Sequence, residues 1–250
     1  MELLLNLYLG HLLGDFVLQP GVLVAAKRRG LTGLLVHVAI IGTVTAVLLW
    51  TELADIWNIV LLAVAAHLLI EVVTIRLRSG EGASGLSVFI IDQALHIASL
   101  VVLVWFAAPL TDIDGVRTLG VDLSVSHTAL ACGFVFVTFT GSILVFEVAN
   151  AFGPLSRRRE ILPFDLERVA GMVERGGALL AAALLPGLLG NASPYVPLAI
   201  VVVAFLPRTL YSLTQTPEDK AYQMLAAATG LLVCSATLAF VAGVTLLTTG

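Results

Sequence analysis

The sequence predicts an all-α protein, a polytopic transmembrane helical bundle of about eight spans, and three observations carry that prediction. Of 250 residues, 59% are hydrophobic and 12% charged, and the mean hydropathy is +1.03, outside the composition of soluble domains. Apolar runs of roughly the twenty residues needed to cross a bilayer recur along almost the whole length. Several ionisable residues inside those runs stand in pairs four apart, the spacing that puts two side chains on one helix face.

Bounded by charge, Gly or Pro, the runs fall at 3–19, 31–50, 56–77, 86–107, 128–152, 168–190, 195–214 and 222–248. The first is not read as a secretory leader, because it lacks a basic start and carries His11 and Asp15 within its apolar part. The second holds His37, the third His67 and Glu71, and the fourth Asp92 and His96. The sixth is the shortest in its uncharged part, Gly176 to Leu189, and includes Pro186, so it is expected to kink or to penetrate part way, which would leave seven full spans. The division expected is a four-helix core over 1–110 and further helices of the same bundle over 111–250.

Charge alternates between the runs. Lys27, Arg28 and Arg29 follow the first, Glu52 and Asp55 the second, Arg76 and Arg78 the third, Asp112, Asp114, Arg117 and Asp122 the fourth, and Arg157, Arg158 and Arg159 the fifth. The positive-inside rule then puts the loops at 26–30, 78–85 and 155–165 in the cytoplasm, and the 108–125 loop and the N-terminus outside. A net charge of −4 with its basic residues clustered between spans reports topology and gives no nucleic-acid surface. Cys132 and Cys234 sit alone in apolar runs, which excludes a disulfide framework and a thiolate metal motif. No phosphate-binding loop, dinucleotide glycine fingerprint or nucleophile elbow is present.

An ionisable group in hydrocarbon is expensive, so His11/Asp15, His67/Glu71, Asp92/His96 and His37 read as a site. Counted at about 1.5 Å per residue from the cytoplasmic helix ends, Asp15, Glu71 and Asp92 lie roughly 6–9 Å deep, His11, His67 and His96 roughly 12–15 Å, and His37 at about the acid depth. The pair order reverses where the chain reverses direction. Imidazoles and carboxylates without thiolate suit a divalent transition metal such as zinc or manganese, as one ion or two. His11, His67, Asp92, His96 and His37 are the expected ligands, with Glu71 and Asp15 as catalytic acid–base groups. The same residues also suit buried pairs that merely join helices, or a proton path.

The run His11-Leu-Leu-Gly-Asp15-Phe-Val-Leu-Gln19, followed by Lys27, His37, His67-Leu-Leu-Ile-Glu71 and Asp92-Gln93-Ala-Leu-His96, resembles a bacterial membrane family catalogued as domain of unknown function 3307. Glu71 stands where that family's pattern usually has Asp, and Thr74 where a Lys often follows, which leaves Arg76 as the nearest cation expected along the chain. Gly171-Met-Val-Glu174-Arg175, Arg208 and the Glu218-to-Gly230 stretch look like the longer members. The resemblance implies a multi-pass protein of the bacterial cytoplasmic membrane and supplies no reaction. A looser similarity, in placing His and acids within membrane helices, links it to inner-membrane metal-dependent hydrolases.

A second polar layer is expected from Glu147, Glu174, Arg175 and Arg208, as a buried ion pair or an anion site, since a guanidinium fork suits phosphate and carboxylate. The basic 156–168 segment is expected to act as a topological signal or to meet anionic lipid, and Asp165 to cap the helix after it. Three functions follow: a metal-dependent hydrolase acting on a lipid-linked or anionic substrate near the cytoplasmic leaflet, a metal- or proton-coupled transporter, and a membrane subunit without chemistry.

Overall fold

The computed structural model describes residues 1–78, 85–107, 115–154, 165–188, 193 and 195–249. Asp112, Asp114, Arg157, Arg158, Arg159 and most of the 78–85 and 155–165 loops lie outside the described residues. The chain forms two compact units, Met1–Cys132 and Gly133–Gly250, and no strand occurs among the described residues beyond one bridge, Thr118 to Val121.

Among the described residues seven helices are long and apolar enough to cross a membrane, eight if the bent N-terminal pair is counted as one span. In the first unit these are α3 (Leu31–Leu48), α4 (Leu53–Arg78) and α5 (Gly85–Ala107), preceded by the pair α1 (Glu2–Leu12) and α2 (Gly21–Arg29). Only about a third of the apolar window of α3 and of α4 is buried inside the protein. So much outward apolar surface is costly in water and expected against lipid tails, which makes this a multi-pass membrane protein. All three tryptophans, Trp50, Trp57 and Trp105, are exposed at one end of α3, α4 and α5, as an interfacial belt requires.

The N-terminal segment departs from a simple span. After Leu12 the helix widens into a π-helical turn, Leu13–Val17, closed by Leu18 N–H donating to the Leu13 carbonyl at 2.9 Å. It then breaks at Leu18–Pro20, and α2 leaves at 95° to the first helix. Pro20 is extended (φ −65°, ψ 155°) and cannot continue a helix. What the charge pattern marked as a loop, the stretch holding Lys27, is therefore a short helix folded onto α3.

Gly10 and Gly14, four apart on the first helix, let it approach α3 closely: a Cβ at either would strike Thr45 or Ile41. This is the small-residue packing used where no hydrophobic force draws helices together. Gly10→Val is expected to cost about 1–3 kcal/mol by overpacking. Gly21→Ala, where nothing lies within 4 Å, is expected to be neutral or slightly stabilising. Thermal unfolding in detergent reads both, and equal midpoints would refute the close-packing role.

Residues 115–121 fold back over the tryptophan end of this unit. Val116 N–H donates to Glu2 Oε2 (2.9 Å), Thr118 Oγ1 to Asn6 Oδ1 (2.7 Å) and Leu119 N–H to the Leu48 carbonyl (2.7 Å). Glu52 accepts from Arg117 Nε at 2.9 Å. Burial pushes the Glu52 carboxyl up, but hydrogen bonds from Thr51 and Arg117 outweigh it and hold the group below the usual range. Its contribution is therefore present at neutral pH and lost on acidification, and stays small because Arg117 is half exposed.

The second unit begins within the helix Val125–Phe152, made of α6 (Val125–Val135), a π-helical turn (Phe136–Thr140) and α7 (Gly141–Phe152). It continues through α8 (Leu166–Leu188), α9 (Tyr195–Ala204), α10 (Leu206–Ser212) and α11 (Pro217–Thr249). The sixth predicted segment is one unbroken 23-residue helix, α8; Pro186 falls in its last turn. The seventh is instead interrupted at Phe205, because Pro207 supplies no N–H and starts a new helix. Asp165 caps α8, accepting from Arg168 N–H at 3.0 Å.

Candidate metal centre

Four elements of the first unit bring six of the seven predicted groups together in two adjoining layers. In the first, His11 from α1, His67 from α4 and His96 from α5 offer ligand nitrogens within 4.8 Å of one another, all buried. Their ring centroids are 4.6 Å (His11–His96), 4.3 Å (His67–His96) and 5.3 Å (His11–His67) apart. In the second, Asp15, His37, His67 and Glu71 meet the same 4.8 Å limit, and His67 belongs to both. The layering follows from the four-residue spacing, which sets each acid one turn from its histidine along the helix.

The imidazole layer is short of partners. Among the described residues, neither ring nitrogen of His11 nor Nε2 of His96 has a hydrogen-bond partner, although all are buried. His96 Nδ1 instead lies 2.9 Å from the Asp92 carbonyl, so that nitrogen carries the proton and Nε2 is left with its lone pair. A cavity of about 20 Å³ adjoins the three rings, with Thr45 and Ser99 on its wall. That is room for one water or one ion.

The carboxylate layer is held together by a cation. Lys27 Nζ donates to Glu71 Oε1 at 2.6 Å and lies 3.7 Å from Asp15 Oδ1. Gln19, turned with its carbonyl inward, accepts from Lys27 Nζ at 3.0 Å and from His37 Nδ1 at 2.7 Å, while its amide donates to the Asp15 carbonyl at 3.2 Å. That fixes the His37 proton on Nδ1. Nε2 then turns toward Glu71 Oε1 (3.3 Å), Asp15 Oδ1 (3.4 Å) and His67 Nε2 (3.2 Å). Two carboxyl groups share one ammonium, so the layer accommodates one further positive charge, a proton or a metal ion.

Asp92 stands apart. Its carboxylate belongs to neither set of mutually close donors; it lies 3.7 Å from His96 Nδ1 and accepts from Gln93 at 2.9 Å, an arrangement that orients His96. The nearest cation to Glu71 is Lys27 and not Arg76, contrary to the expectation from chain position, because the bend before α2 carries Lys27 inward. Gln19 and Lys27 were legible only as parts of the family-like run; charge alone assigned Lys27 to a loop.

In the second unit Glu174 pairs with Arg208, whose Nε donates to Oε2 at 2.7 Å. Arg175 is buried without such a partner among the described residues. Its Nε donates to the Val137 carbonyl (2.7 Å) and its Nη2 to Ser142 Oγ (2.6 Å), at the π-helical turn where the regular hydrogen-bond ladder is interrupted. Glu147 is buried on α7 and is not bonded to Arg175.

No curated protein and no solved structure matches the chain significantly. A family model described as protein of unknown function (DUF3307) matches residues 3–115, the stretch that supplies every residue of both layers. Residues 3–115 thus belong to the DUF3307 family of proteins of unknown function.

Proposed function

We propose that the protein binds a divalent transition-metal ion within the membrane on His11, His67 and His96, and that the Asp15/His37/Glu71 layer, with Lys27, balances charge as the ion enters and leaves. The observation that carries this reading is the convergence of three imidazoles from three helices, with both ring nitrogens of His11 and Nε2 of His96 unpartnered among the described residues. Each unmade hydrogen bond costs about 1–3 kcal/mol when buried, and an ion accepting one lone pair from His11 and that of His96 Nε2 removes the cost at those two nitrogens. Three imidazoles suit zinc; the adjoining carboxylates would suit manganese.

The geometry favours ion handling over chemistry on an organic molecule, since the cavity beside the rings has about 20 Å³ and the two donor sets share His67 as a step between them. The basic residues between the helices support a carboxylate layer on the cytoplasmic side and an N-terminus outside. A hydrolytic reading is supported by one observation, the Glu71 carboxylate 3.8 Å from His67 Nε2, where it could take a proton from an ion-bound water attacking a lipid-linked substrate. Reconstituted protein separates the two. Zinc or manganese flux with proton counterflow, and no product released from the vesicle lipids, is expected. Lipid hydrolysis by the wild type that disappears in Glu71→Gln, without flux, would overturn ion handling in favour of the enzyme.

A further inference from the structure

The second unit holds a cationic pocket that the metal centre does not use. A cavity of about 50 Å³ opens between α7, α8, α10 and α11, and Ser142, Asn150, Arg175, Arg208 and Tyr222 are on its wall. Gly171 faces the two arginines. A Cβ placed there would come within 3.0 Å of Arg175 Nη1 and 3.4 Å of Arg208 Nη2. Two guanidinium groups from different helices thus converge over a residue with no side chain.

The nitrogens that converge are the ones left over. Arg175 uses Nε and Nη2 on Val137, Thr138 and Ser142, and Arg208 uses Nε on Glu174 and Nη1 on Gln223. Arg175 Nη1 and Arg208 Nη2 have no hydrogen bond among the described residues. Charge follows the same pattern: Glu174 balances Arg208, whereas every acceptor of Arg175, which is 4% exposed, is neutral. The carboxylates on the wall are engaged elsewhere, Glu167 by Gln223 at 2.6 Å and Asp165 by the Arg168 backbone at 3.0 Å. Burying one guanidinium beside another without a counter-charge is unfavourable. An anion with two oxygens on one centre would relieve that and match both free N–H groups.

We infer that Arg175, Arg208 and the space over Gly171 form a binding site for a single phosphate group, supplied either by a phospholipid headgroup or by a phosphate in solution. Gly171 is the positioning residue, since a methyl group there would occupy the meeting point of the two forks. Glu174 acts by holding Arg208 in place.

Thermal unfolding of the full chain in mild detergent tests this, with inorganic phosphate titrated against sodium chloride of equal ionic strength and, separately, with a short-chain phosphatidylglycerol. A concentration-dependent rise in midpoint is expected with at least one probe, and which probe acts identifies the source. Gly171→Ala, which suits a helix, and Arg208→Lys, which keeps the charge beside Glu174 but loses the fork, should each weaken binding about tenfold or more, with metal content unchanged. No shift with either probe, or the same apparent affinity in both variants, overturns the site. Because metal content is read in parallel, failure of this proposal is distinguishable from failure of the metal centre.

Discussion

Protein purified in mild detergent and exposed to zinc or manganese should retain one ion per chain, and His67→Ala should abolish that retention. His67 is the substitution with the largest expected effect because it alone belongs to both donor sets. Loss of an orienting partner costs a metal site about 10–100-fold in affinity, and loss of a direct ligand is expected to exceed that. His96→Ala should behave similarly, and Asp92→Asn, which leaves all three imidazoles in place, should fall within the smaller range. Elemental analysis beside circular dichroism and gel filtration reads the result. Wild type that binds no transition metal under loading, with both histidine variants folded, would reduce the cluster to polar contacts between helices.

Lys27→Met is expected to have the next largest effect. It keeps the length of the side chain and removes the ammonium 2.6 Å from Glu71 and 3.7 Å from Asp15. Breaking a buried pair by deleting one partner costs about 3–5 kcal/mol, because the remaining charge is left uncompensated. The metal-free variant should therefore melt well below the wild type, and a divalent ion should restore it by taking the place of Lys27 among Asp15, His37 and Glu71. Metal content should rise from one to two ions per chain. An unchanged midpoint together with an unchanged ion count would show that Lys27 does not act as the cation of this layer.

The paired residues were legible because a four-residue spacing is a helical repeat and membrane helices meet at matched depth. His11, His67 and His96 converge for that reason, and so do Asp15, His37 and Glu71. Lys27 was not legible in the same way, since its place depends on a 95° bend that residue charge does not encode. Pro20 and Gly21 mark a turn but not its direction. The π-helical turns at Leu13–Val17 and Phe136–Thr140 follow apolar runs with no distinguishing pattern. The second of them decides that Arg175 binds backbone carbonyls, while Glu174, its neighbour in sequence, faces Arg208. The break at Phe205 was signalled by Pro207, yet the hydrophobic run continues through it.

The folded-back turn at 115–121 gives the first unit two unlike ends. One end is stitched to Glu2, Asn6, Leu48 and Glu52 and ringed by tryptophan. The other carries Lys27 on a helix packed across α3. On the ion-handling reading proposed above, the two layers act in series: an ion exchanging between the three imidazoles and the Lys27 end passes the lysine and the carboxylates. On that reading the ammonium would govern rate as well as charge, as a tethered stopper that an ion passing through the carboxylates displaces and that closes again behind it.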